Sequence, residues 1–177
     1  MIRIKISRFL GLTASAALIL LITGCGYSFT PTGEHIATRI KTVFVDTFSN
    51  RTSEAYVENY LRQAFIDEFI KGRRFKVVGK PEIADAVLRG SVKNLVVSHL
   101  SYDINSIAIE ERITMTMDIV FEEQETHKII WSGKNISGIE DYKVADQMAT
   151  ESSRKDALIK LANDTAEKVY RLMMSDF

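Results

Sequence analysis

Between Arg112 and Glu122 the chain alternates with a period of two. Ile113, Met115, Met117, Ile119 and Phe121 are apolar, while Arg112, Thr114, Thr116, Asp118 and Glu122 are polar, with Val120 the one exception. Successive side chains of a strand point to opposite faces, so this pattern specifies a strand with one face on a core and one in water. Its register is fixed, because a one-residue slip would turn the apolar set into solvent. The charges on the wet face also bar that face from hydrocarbon lipid. Such a strand needs a sheet to pair with and a second layer to cover it.

The rest of the chain supplies both. Residues 40–48 (IKTVFVDTF) are β-branched and aromatic and read as a strand. Residues 49–53 (SNRTS) form a polar break, in which Asn50 ends the strand and offers its side chain to free backbone N–H groups of a coming helix. From Ser53 to Lys71, Val57, Leu61, Ala64, Phe65 and Phe69 form the stripe of an amphipathic helix, stopped by Gly72. A short strand at 73–79 (RRFKVVG) is closed by Lys80-Pro81. Residues 86–102 read as a long strand interrupted by Gly90, taken as a bulge. The alternating strand spans 107–121, a polar turn spans 123–128, and a last strand runs over 129–139 around Trp131. A final helix over 150–174 places Leu158, Leu161, Ala162, Thr165, Val169, Leu172 and Met173 on one face. The expected fold is an α+β two-layer sandwich, with two helices packed on one face of a mixed, largely antiparallel sheet of four to five strands.

The N-terminus carries a different signal. Three basic residues, Arg3, Lys5 and Arg8, precede an apolar stretch from Phe9 to Ile22. That stretch is short for a membrane span, which takes about 20 apolar residues, and matches a secretory signal peptide. It ends in Leu21-Ile22-Thr23-Gly24-Cys25, which closely resembles the bacterial lipobox, in which cleavage precedes a lipidated cysteine. Cys25 is the one cysteine of the chain, so no internal disulfide can explain it. Residues 1–24 are therefore read as signal peptide, 25–39 as a lipidated N-terminus and tether containing Pro31 and Gly33, and 40–177 as one domain. Gly26 follows the cysteine where an aspartate would resemble the inner-membrane retention signal, which points to the outer membrane. A tether of 14 residues reaches at most ~50 Å.

Removing 24 of 177 residues leaves 153, and the basic count falls from 23 to 20 against 23 acids, because the signal holds three cations and no acid. A near-neutral domain has no global electrostatic reason to bind nucleic acid. With 46% hydrophobic residues it can build a core. Catalytic signals are thin. His35, His99 and His127 are scattered without metal-ligand spacing, and no nucleophile elbow, zinc motif, P-loop or dinucleotide fingerprint occurs. No enzyme activity, metal or cofactor is expected apart from covalent lipid on Cys25. The acidic run 122–125 (EEQE) reads as a solvated hairpin tip, and Lys71 with Arg73-Arg74 as a solvated helix end.

The segments CGYSF at 25–29, IKTVFVDTFSNRTSEAYVENYLRQAFIDEF at 40–69 and ADAVLRG at 84–90 resemble the LPS-assembly lipoprotein family, LptE. The IIWSG stretch around Trp131 and the final helix with Arg154, Ala157, Leu161 and Ala166 extend the resemblance over essentially the whole mature chain. It implies a two-helix, four-stranded domain plugging the outer-membrane LPS translocon barrel, LptD, aiding its assembly and LPS delivery to the outer leaflet. The implied partners are that barrel, LPS and, through the lipid anchor, the membrane. LPS phosphates would have to meet cations, and Lys93, Arg112 and Lys143 are candidates. The first half of the chain is also similar to TolB-N-like lipoproteins, which include peptidoglycan-synthase cofactors and secretion-pore subunits. A synthase cofactor needs a long polar linker to reach the peptidoglycan, which a 14-residue tether does not provide.

Overall fold

The computed structural model describes residues 35–102 and 108–175. In chain order the elements are β1 (Thr42–Val45), β2 (Ser49–Asn50), α1 (Val57–Gly72), β3 (Lys76–Val77), a 3-10 turn (Pro81–Ile83), β4 (Ala86–Tyr102), β5 (Ala108–Glu123), β6 (Ile129–Lys143) and α2 (Gln147–Ser175). One mixed sheet runs β3-β1-β4-β5-β6, with β2 also paired to β4. The β1 strand is parallel to β3 and β4, whereas β4, β5 and β6 are antiparallel. This is the α+β arrangement expected. Six strands arise because the stretch read as one strand over 40–48 divides. After β1, Asp46, Thr47 and Phe48 cross over, and the supposed polar break at Ser49–Asn50 pairs beside Ser91 and Val92.

The five alternating apolar residues of β5, Ile113, Met115, Met117, Ile119 and Phe121, are each at most 1% exposed. They meet the stripe of α1, whose Val57, Leu61, Ala64, Phe65 and Phe69 are all buried, and the face of α2 from Ala157 to Met174. Leu172, assigned to that face by periodicity, is 37% exposed; Ala166 and Met174 are buried instead. Stacked and edge-on rings of Phe48, Phe65, Phe69, Phe75 and Phe121 fill the centre. Ile36 and Ile40 are also buried, so residues 36–39, read as tether, belong to the packed body.

Gly90 is not a bulge. It pairs in register with Ile119, and the irregularity lies at Lys93, between Val92 and Asn94. Glycine is required at 90 because the Phe48 ring lies on it: a Cβ there would be 2.1 Å from Phe48 Cε1. Asn50 does not cap α1 either. It accepts the Thr52 N–H at 2.9 Å and donates to the Glu54 carbonyl and the Glu58 carboxylate, shaping the loop before the helix, whose N-cap position is Tyr56 in the left-handed region. The second helix starts three residues earlier than expected because Asp146 accepts the Ala149 N–H at 2.9 Å, an N-cap bond.

Candidate functional surface

The sheet face away from the helices carries the expected candidates. Lys93, thrown outward by its bulge, places Nζ 3.2 Å from Asp118 Oδ2 and donates to Asn135 Oδ1 at 2.9 Å. Arg112 forks onto Asp141 with bonds of 2.7 and 2.8 Å. Lys143 stands opposite Glu110 across the β5–β6 pair. All three cations share one face, but they do not converge. Arg112 and Lys143 lie at the end of the sheet where β6 finishes, and Asp118 with Lys93 lies six residues away along β5, about 20 Å at ~3.4 Å per residue. Two of the three are already neutralised. Asp141 is held below the usual carboxylate range, chiefly by the Arg112 hydrogen bond, and Asp118 by the Asn135 N–H first and by Lys93 after it. Exposed pairs of this kind contribute little to stability; here they fix register and balance charge. Lys143 has no ion-pair partner among the described residues.

Between these charges lies a row of two exposed apolar side chains on either side of a threonine, which the alternation pattern does not show. Val96, Thr114 and Ile139 are in register across β4, β5 and β6, and Val96 and Ile139 are 47% and 53% exposed. The row adjoins Ser98, Arg112 and Asp141. An apolar band beside charged groups is chemically suited to an amphiphile. Sequence reading missed it because single apolar residues on a wet face are unremarkable until pairing aligns them.

At the opposite end of the sheet, a cleft of about 520 Å³ is lined by Arg39, Ile40, Glu82, Ala84, Asp85, Glu123, Gln124 and Glu125. The acidic run is therefore not a free hairpin tip. Glu123 is 8% exposed, with Arg39 Nε at 2.9 Å and the Thr126 hydroxyl at 2.5 Å, and these bonds, Thr126 first, lower its pKa. Glu122 pairs with Arg89. Nor is Arg74 a solvated helix end: it donates to the Ile40 and Ile36 carbonyls and lies over the Phe75 ring. Among the described residues no group of three or more His, Cys, Asp or Glu side chains could hold a metal ion.

Asp85 ties the first strand to this end. One carboxylate oxygen accepts the N–H groups of Lys41 and Thr42, both at 2.8 Å, and the Lys41 bond is the largest of the causes that lower its pKa. A group whose folded pKa is depressed stabilises the fold above the ordinary aspartate range, and that stability is lost as pH falls through the depressed value. Asp85→Asn should therefore cost about 1 kcal/mol at neutral pH, below the usual ~1.5–3 kcal/mol for bonds to a charged group because water screens it. It should also flatten the fall of Tm between about pH 5 and pH 2. Circular-dichroism melts across that range test this; a slope equal to wild type would remove Asp85 from the acid response.

Cys25, Gly26, Pro31 and Gly33 lie outside the described residues. No helix among the described residues is long and apolar enough to cross a membrane.

Residues 40–173, from just ahead of β1 almost to the end of α2, match the LptE family, described as lipopolysaccharide-assembly. A similar solved structure is that of a Caulobacter crescentus CB15 protein described as a lipoprotein. It has a TM-score of 0.52 and 18% identity, over 73% of this chain and 89% of that one. The rare lipoprotein B of Shewanella oneidensis has a TM-score of 0.49 and 14% identity, over 77% and 96% of the two chains. An uncharacterised lipoprotein B from Nitrosomonas europaea has the same TM-score and identity, over 77% and 84%. At these identities the Caulobacter likeness shows a common fold and nothing further. No curated protein sequence matches the chain.

Proposed function

Because the chain belongs to the LptE lipopolysaccharide-assembly family, we propose that it is an outer-membrane lipoprotein that binds and plugs the LPS translocon β-barrel, LptD. In that place it assists barrel assembly and LPS delivery to the outer leaflet. The observation that carries this reading is the family match, which spans both layers of the sandwich rather than one motif. The role is one of contact and not of catalysis.

Three physical features support it. The lumen of a membrane barrel is polar, and the outer sheet face, with its cross-strand pairs Arg112–Asp141 and Lys93–Asp118, suits that surrounding. The body begins no later than Ile36, so an anchor on Cys25 leaves 11 residue steps, at most ~40 Å. That keeps the domain against its membrane and short of a distant peptidoglycan partner. Finally, the Val96–Thr114–Ile139 row, with Lys143 on the same face, offers acyl chains and a phosphate of an LPS molecule their two kinds of contact.

A plug buries more than the ~1,600 Å² of a standard interface, so the complex should survive detergent and raised salt. Tagged protein recovered from solubilised outer membranes should bring down one stoichiometric β-barrel, and depletion should lower assembled barrel and surface LPS together. Recovery of a peptidoglycan synthase, or of many copies of this chain alone with no barrel, would sink the plug reading in favour of the TolB-N-like one.

A further inference from the structure

Past the end of β6 at Lys143, which pairs with Glu110, β4 and β5 continue together to Tyr102 and Ala108 as a two-stranded arm, and one polar chain crosses its root. His99 Nδ1 on β4 is 2.9 Å from Glu111 Oε1 on β5. The other Glu111 oxygen accepts from the Tyr142 hydroxyl on β6. Arg154 on α2 donates through Nη1 to that hydroxyl at 3.4 Å and through Nη2 to the carboxylate of Glu54, in the loop before α1. The Glu54 carbonyl in turn accepts from Asn50 at the end of β2, at 2.7 Å. The relay thus joins four strands, the loop before α1 and the second turn of α2, through residues up to a hundred positions apart in sequence.

We propose that this relay is a conformational latch that makes the arm, the start of α2 and the loop before α1 respond as one unit. Tyr142 is its pivot, because the hydroxyl both donates to Glu111 and accepts from Arg154. It is 5% exposed, and its pKa is raised, first by burial and then by the Glu111 hydrogen bond, so it keeps its proton through the physiological range. Arg154 is the coupling group. Its planar fork reaches two partners on different elements at once, which an ammonium cannot reproduce with the same geometry. In a partly buried network, removing any one member leaves its neighbours short of a partner. A force on the arm that breaks Tyr142 from Glu111 therefore also loosens Arg154 from Glu54. A set of unrelated surface bonds would not do this.

Hydrogen–deuterium exchange on the full-length protein in detergent tests the latch. Tyr142→Phe keeps the ring and removes the hydroxyl; Glu54→Gln removes a charge that does not touch Tyr142. Each should raise exchange about three- to tenfold in residues 97–102 and 108–112, in 147–155 and in 50–58 together, and the double variant should add little to either single, as coupled sites do. Arg154→Lys, should Tyr142→Phe fold poorly, should give the same three-segment pattern. The latch is refuted if Tyr142→Phe loosens the arm alone, if the two effects add, or if exchange rises equally at the far end around Leu88 and Phe121.

Discussion

Ile119→Asp is expected to abolish cooperative unfolding of the domain altogether. Ile119 is 1% exposed, at the middle of the core-facing row of β5, with Gly90 and Gly133 as its partners on β4 and β6. Both partners lack a side chain on that face, so no donor stands beside it to compensate a carboxylate. Burying an unpaired charge costs several kcal/mol, whether the aspartate stays ionised or takes up a proton. A domain of this size typically has ~5–15 kcal/mol in total, and the lost isoleucine packing adds further to the deficit. Asp118→Asn, one residue away, is the control. It points to the opposite face, and an amide oxygen can still accept the Asn135 N–H that Asp118 holds at 2.7 Å. Circular dichroism should show a melt close to wild type for Asp118→Asn and none for Ile119→Asp. Two similar melts would mean that the register of β5 is wrong.

That contrast also marks how far the sequence alone could be read. Where one face of an element is buried, periodicity encodes it. Every residue of the alternating apolar set on β5 and every residue of the α1 stripe is in the core. Periodicity fails where burial depends on what crosses from elsewhere. Gly90 has a local explanation as a bulge, but its real constraint is the Phe48 ring, which arrives from the crossover between β1 and β2. Glu123 sits in a run of acids that looks solvated, and becomes buried because Arg39, 84 positions earlier, folds against it. Ile36 looks like tether until β1 carries it into the core. The latch has the same character. Tyr142, Arg154, Glu111 and Glu54 have no spacing that links them, and pairing of β5 with β6 and packing of α2 bring them together. For the candidate surface, the cations Lys93, Arg112 and Lys143 could be named from the sequence. The carboxylates that neutralise Lys93 and Arg112, and the exposed Val96 and Ile139 aligned between them, could not, because cross-strand register is a property of the whole sheet.

On the proposed anchor, Cys25→Ala should yield a protein that no longer carries lipid. The cysteine stands at the end of the lipobox-like Leu21-Ile22-Thr23-Gly24 segment, and it is the one thiol in the chain, so no second residue can take the acyl group. Each methylene transferred into the bilayer contributes ~0.8 kcal/mol. Three chains of about a dozen methylenes each would supply on the order of 30 kcal/mol, and even half of that makes anchoring effectively irreversible. The variant should fail to label with palmitate and should accumulate as uncleaved precursor, or appear as free domain if another peptidase cuts. An anchor on Cys25 would hold the body within ~40 Å of the membrane, so on the proposed reading recovery of a barrel should fall with its loss, while the melting transition of the released domain stays unchanged. Palmitate labelling of Cys25→Ala equal to wild type would refute the anchor. Full labelling loss with undiminished barrel recovery would instead show that the plug holds by its own contacts once inserted.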